Sequence, residues 1–203
     1  MKRVLLGAAV VALPLGIVAS ALPVGAAATP PIQVGAASIS CTTVTASANL
    51  APKVGPNVPV RVNSRFHVSL SGCTVSGATG GTITSISGSG TGVFHASPPS
   101  SATGLPVTVP VVGKFTIKWT ASPRISGPKS VVTATNVTAS AATDGNVALS
   151  FGGLAVAGDF AGTDAGASSA VSFETTQSLA DLSTAFGTTG IHSVGLTGTA
   201  SLG

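Results

Sequence analysis

Residues 60–71, Val-Arg-Val-Asn-Ser-Arg-Phe-His-Val-Ser-Leu-Ser, decide the fold. Val60, Val62, Phe66, Val68 and Leu70 fall on one side of an extended chain, and Arg61, Asn63, Arg65, His67 and Ser69 on the other. Successive side chains of a strand point to opposite faces, so this alternation describes a strand with one buried and one wet face, the habit of antiparallel sheets. Residues 114–120 repeat it, with Phe115, Ile117 and Trp119 expected inward and Lys114, Thr116 and Lys118 outward.

Working outward, residues 39–47 read as a first strand and 105–112 as a strand carrying Pro106 and Pro110, which belong at an edge or a bulge. Residues 80–94, rich in Gly and Ser, read as a strand, a turn and a short return. Residues 131–139 and 146–151 flank Asp144-Gly145, a dipeptide suited to a type I′ hairpin turn. Residues 152–168 read as irregular, 171–175 as a strand and 191–202 as a return to β structure. Only Ser178 to Phe186 has helical spacing, with Ser178 as N-cap and Gly187 as the stop. The expected architecture is all-β: an antiparallel β-sandwich with one short helix near the C-terminus, a closed barrel being the alternative. The expected core is Val62, Phe66, Val68, Leu70, Phe115, Ile117, Trp119, Val147, Leu149, Phe151, Val171 and Phe173.

The N-terminus sets the compartment. Lys2 and Arg3 precede an uncharged, apolar run that ends in small residues around Ala26–Ala28, the pattern of a signal peptide for the general secretory route. Cleavage is expected after Ala26 or Ala28, leaving residues 29–203 as a single domain of about 175 residues, enough for a sizeable core. Residues 29–38 read as an extended leader, because Pro30-Pro31 cannot enter a helix. No second apolar stretch approaches the roughly 20 residues of a spanning helix, so no transmembrane segment is expected in the mature chain. Cys41 and Cys73 are the two cysteines, and in an exported chain they are expected to form a disulfide.

Composition agrees with an exported β protein. Only 7% of residues are charged, against roughly a quarter in ordinary soluble domains. Without Lys2 and Arg3, seven basic residues face five acidic ones, a net of +2. That balance is too weak for nucleic acid, which calls for a dense basic patch.

The segments Phe115-Thr-Ile-Lys-Trp119, residues 130–138 (SVVTATNVT) and residues 190–198 (GIHSVGLTG), with Cys41, Cys73 and the Ala-rich leader, resemble small exported β-sandwich proteins of actinobacteria. The resemblance implies an Ig-like fold and export, and it carries over no functional residue. Some members of that group are expected to have a second cysteine pair near the C-terminal helix, which this chain lacks.

Candidate chemistry is sparse. A serine hydrolase needs a base to take the nucleophile's proton and a partner to orient that base. His67, His95 and His192 read as surface or half-buried residues, and no G-x-S-x-G elbow occurs. Asp144 is assigned to the hairpin turn and Asp181 to the helix surface. Asp159 and Asp164 share a Gly-rich loop that would suit a Ca²⁺ ion only with further oxygen ligands, so Asx-turn roles are expected. No catalytic, cofactor or metal site is assigned. Arg61, Arg65, Lys114 and Lys118 are the surviving feature, a candidate anion-binding face if their strands share a sheet. The chain is expected to be a non-catalytic binding module of the envelope or cell exterior, its partner an envelope polymer, a lipid or another exported protein. A carrier of a hydrophobic ligand between the sheets is the alternative, and an extracellular hydrolase a third.

Overall fold

The computed structural model describes residues 29–56, 61–96, 104–162 and 169–203. The leader, residues 1–28, and Asp164 lie outside them. Ten strands and one helix follow in chain order: β1 Ser38–Val54, β2 Val62–Ser76, β3 Ser85–Ala96, β4 Val107–Ser122, β5 Lys129–Thr133, β6 Asn136–Ala141, β7 Asn146–Gly152, β8 Ala155–Gly158, β9 Ala170–Ser178, α1 Leu179–Gly187 and β10 Ile191–Leu202. The strand pairings among them are antiparallel, in the order β3-β2-β1-β10-β9-β7-β6-β4-β5-β8, with β3 also paired to β4. The fold is thus an all-β, sandwich-like one with a short helix near the C-terminus.

The two layers face each other through aromatic side chains. Phe66 of β2 and Phe94 of β3 meet Phe151 of β7 with ring centroids 6.3 and 6.0 Å apart, and Phe151 meets Phe173 of β9 at 5.8 Å. The hydrogen-bonded ladder closes on itself, because β4 pairs with β3 as well as with β6 at the two ends of the run β3-β2-β1-β10-β9-β7-β6. β4 also changes partners along its length: Val107–Pro110 pairs with β6, and Lys114–Lys118 with β5. Pro110 sits where the ladder to β3 has not yet begun, since that pairing starts at Val111. A missing N–H costs little at such a place.

Period-2 reading placed the inward side chains correctly. Val62, Val68, Leu70, Ile117, Trp119, Val147 and Phe173 are buried. Phe66, Phe115, Leu149, Phe151 and Val171 are half-buried and packed against that core. Cys41 and Cys73 are directly opposed on β1 and β2 and form the disulfide.

Several local readings are corrected. Residues 80–94 contain no turn and return; β3 is one continuous strand. Gly88, Gly90 and Gly92 face inward, and Trp119 and Phe115 of β4 lie over them: an added Cβ would come within 2.6 Å of the Trp119 ring at Gly88 and 2.7 Å of the Phe115 ring at Gly92. These glycines are spaces for aromatic rings rather than turn signals. Residues 105–112 and 114–120 are one strand, β4. Conversely, residues 131–139 divide into β5 and β6 at Ala134-Thr135, and β8 lies inside the stretch read as irregular.

Residues 29–38 are more than a leader, for Ile32, Val34 and Ala37 are buried and the Ile32 and Gln33 N–H groups donate to the Arg124 and Thr79 carbonyls. The β6–β7 hairpin turns at Asp144-Gly145, but not as type I′. Only Gly145 has positive φ (86°), and Gly145 N–H donates to Ala142 O while Ala142 N–H donates to Asn146 O. This is a three-residue loop, a type I turn followed by a left-handed glycine. The Ser178 hydroxyl caps α1 by accepting from Asp181 N–H at 3.1 Å.

Candidate functional site on the outer face of β2, β3 and β4

Alternation places Arg65 and His67 of β2 on the wet side, and register then fixes their neighbours. Across β2, β3 and β4 the rows are Arg65–Val93–Lys114, His67–Thr91–Thr116 and Ser69–Ser89–Lys118. The last row continues to β5, where Lys129 lies directly opposite Lys118. One strand, β3, separates the two basic strands, so Arg65 and Lys114 stand about 10 Å apart at the backbone, and Lys114 and Lys118 about 13 Å apart along β4.

β3 forms a low floor because its outward residues here are Ser89 and Thr91. Two shallow depressions, of about 580 and 800 Å³, run over it and share His67, Thr91 and Thr116 in their linings. Lys118 lines the first; Arg65, Lys114 and the apolar Val93 and Val112 line the second. The described acidic residues lie elsewhere: Asp144 in the β6–β7 turn, Asp159 beyond β8, Glu174 on β9 and Asp181 on α1. Like charges directly opposite on a sheet repel, so the Lys118–Lys129 pair leaves positive potential for an anion to neutralise. Hydroxyls from Thr45, Ser47, Ser69, Ser89 and Thr91 border the same depression.

Of the four cations singled out in the sequence, the structure brings Arg65, Lys114 and Lys118 together. Arg61 precedes the first residue of β2 and is exposed, four residues back along the chain from Arg65. Sequence reading passed over Lys129, because it began the next strand only at Val131, whereas β5 starts at Lys129. The sequence carries no alternation that would have found it, since Lys129-Ser130-Val131-Val132-Thr133 buries a serine and puts a valine on each face.

His95, His192 and the polar groups around Trp119 have structural partners. His95 Nδ1 is hydrogen-bonded to Asn63 Oδ1, and His192 Nδ1 lies 3.1 Å from the adjacent Ser193 Oγ on exposed residues of β10. Trp119 Nε1 donates to Ser130 Oγ at 2.8 Å, and Ser130 Oγ donates to the Asp159 carbonyl. Asp159 Oδ2 accepts from Lys129 N–H at 3.1 Å, which joins the end of β8 to β5. Burial pushes the Asp159 carboxyl above the ordinary carboxylate range, opposed by that hydrogen bond. Among the described residues, no three His, Cys, Asp or Glu side chains gather as a metal site, and no helix is long and apolar enough to cross a membrane.

These features define an antiparallel all-β sandwich protein with one disulfide and a basic, hydroxyl-lined outer face. No family model matches the chain, and no curated protein or solved structure matches it.

Proposed function

We propose that this is an exported, non-catalytic binding module that meets anionic partners in the cell envelope or outside the cell, through the outer face of β2, β3 and β4. The observation that carries the reading is the set Arg65, Lys114, Lys118 and Lys129 on one sheet face whose described residues include no carboxylate, with two of the lysines directly opposed. Export is supported by the secretory pattern of residues 1–28 and by a disulfide, a bond that persists in oxidising compartments. The likeness to exported Ig-like sandwiches of actinobacteria belongs to the same reading and rests on the segments around Trp119, Thr133 and Val194.

Binding on the face is favoured over carriage of a hydrophobic ligand by the interior. The apolar cavity between the layers, lined by Val44, Phe66, Phe115 and Phe173 among others, holds about 60 Å³. Small-molecule pockets usually offer roughly 300–1,000 Å³. Co-sedimentation of the mature protein with isolated cell walls, at low and high salt, tests the reading. Binding that salt weakens, and that Arg65→Ser/Lys114→Ser abolishes, supports it; equal binding by both proteins, or none by either, removes it.

A further inference from the structure

The basic face is not uniformly polar. Val112 of β4 and Val93 of β3 are 72% and 40% exposed, and they lie on the same outer surface. Val93 stands directly between Arg65 and Lys114 in one row across three strands, and Val112 lies diagonally beside it, opposite His95. Diagonal neighbours on a sheet face are within reach of each other. The site is therefore an apolar pair of which Val93 lies between two cations and Val112 beside one of them.

From this arrangement we propose that the anionic partner is a lipid surface, and that Val93 and Val112 enter the boundary between headgroups and acyl chains while Arg65 and Lys114 meet anionic headgroups. The proposal rests on the anion-binding reading above and gives it a partner. A water-soluble polyanion has charge for the cations but nothing apolar for the valines. A second copy of this face would satisfy the valines but would set Arg65 and Lys114 against their own kind. A lipid layer supplies both chemistries at the right relation, negative at its surface and apolar a few ångströms deeper. The roughly 60 Å³ cavity between the layers cannot take an acyl chain, so the contact is a docking on the layer and leaves the lipid in place.

The mature protein would be sedimented with vesicles of equal parts phosphatidylglycerol and phosphatidylcholine, with pure phosphatidylcholine vesicles, and passed over immobilised inorganic polyphosphate. Wild type should bind the anionic vesicles at least tenfold more tightly than the neutral ones. Val93→Ser/Val112→Ser changes two exposed side chains, and its fold can be checked by circular dichroism. It should lose about fivefold to tenfold on anionic vesicles, from the apolar area no longer removed from water, and nothing on polyphosphate. Arg65→Ser/Lys114→Ser should lose on both. Unchanged vesicle binding by the valine variant overturns the lipid assignment, as does tight polyphosphate binding without vesicle binding, which leaves the anion reading standing. Dimerisation that the valine variant abolishes, without vesicle binding, assigns the face to a second copy instead. Binding to neither vesicles nor polyphosphate ends both readings.

Discussion

The indole of Trp119 lies across Gly88 of the neighbouring strand, so closely that a Cβ at position 88 would stand 2.6 Å from the ring. The two residues are direct register partners on β3 and β4. Trp119 also packs edge-to-face against Phe160, with ring centroids 5.2 Å apart, and donates a hydrogen bond to Ser130. These contacts oppose a shift of the ring. Gly88→Ala should therefore cost about 1–3 kcal/mol, the usual penalty of overpacking a filled core. Urea denaturation followed by Trp119 fluorescence reads the change directly. Gly187→Ala is the control, since among the described residues an added Cβ there meets nothing within 4 Å, and it should stay within about 0.5 kcal/mol of wild type.

The Cys41–Cys73 bond joins directly opposed residues 32 apart in sequence. Cross-linking the chain over a loop of that length stabilises a fold by roughly 3–4 kcal/mol through the entropy it removes from the unfolded state. Cys41→Ser/Cys73→Ser, or wild type under reductant, should lose stability of that order in denaturant titrations. Non-reducing peptide mapping of the purified protein should recover one peptide pair joined at these residues; free thiols there would remove the bond and the support it lends to the proposed export.

On the basic face, position in the register should decide the effect of each charge. Lys118→Ser removes a cation that lines the depression over β3, whereas Arg61→Ser removes one that precedes β2. Cell-wall binding at low salt should fall severalfold for Lys118→Ser and little for Arg61→Ser. The difference should fade as ionic strength rises, because exposed charges are screened over about 8 Å at physiological salt. Equal losses for the two variants would mean that net charge alone matters, and the register argument would fail.

Asp159 gives the acid limb of the stability profile a definite sign. Its carboxyl is raised by desolvation, against the opposing hydrogen bond from Lys129 N–H. A raised folded-state value means that the folded protein holds this proton more tightly than the unfolded chain. Stability therefore decreases as pH rises from the ordinary aspartate value, about 3.9, through the higher folded one. Asp159→Asn keeps an acceptor for Lys129 N–H and cannot titrate, so it should flatten that part of the curve. Thermal melts of the two proteins across the acid range compare the slopes; identical slopes would clear Asp159 of the role.

How much of this was legible can be followed residue by residue. Alternation in residues 60–71 and 114–120 assigned each side chain to the core or to water, and Phe66, Val68, Ile117 and Trp119 lie where it put them. Ser178 announced the helix start, since a hydroxyl there accepts from the first turn's N–H groups. Asp144-Gly145 announced a hairpin, though not its turn type, which depends on where the flanking ladder closes. Residues 87–92 misled because alternating Gly and Ser suits a flexible turn as well as a strand that must leave room for rings. Only the rings of Trp119 and Phe115, contributed from more than twenty residues further along the chain, separate the two.

The sequence by itself determined the all-β class, the single available cysteine pairing, the inward and outward phase of the clearest strands and the start of the helix; its C-cap fell at Thr188, one residue past the glycine read as the stop. Each follows from local chemistry: the two-residue period of an extended chain, the reach of a capping hydroxyl, the presence of two thiols. Tertiary structure alone decided that β3 runs between β2 and β4, that Arg65, Lys114 and Lys118 therefore share one face, and that Lys129 joins them, with Arg61 just before the first residue of β2. Period-2 alternation tells a side chain which side of its own strand it occupies. It carries no information about which strand lies alongside, because that neighbour is chosen by packing and hydrogen bonding between segments distant in sequence.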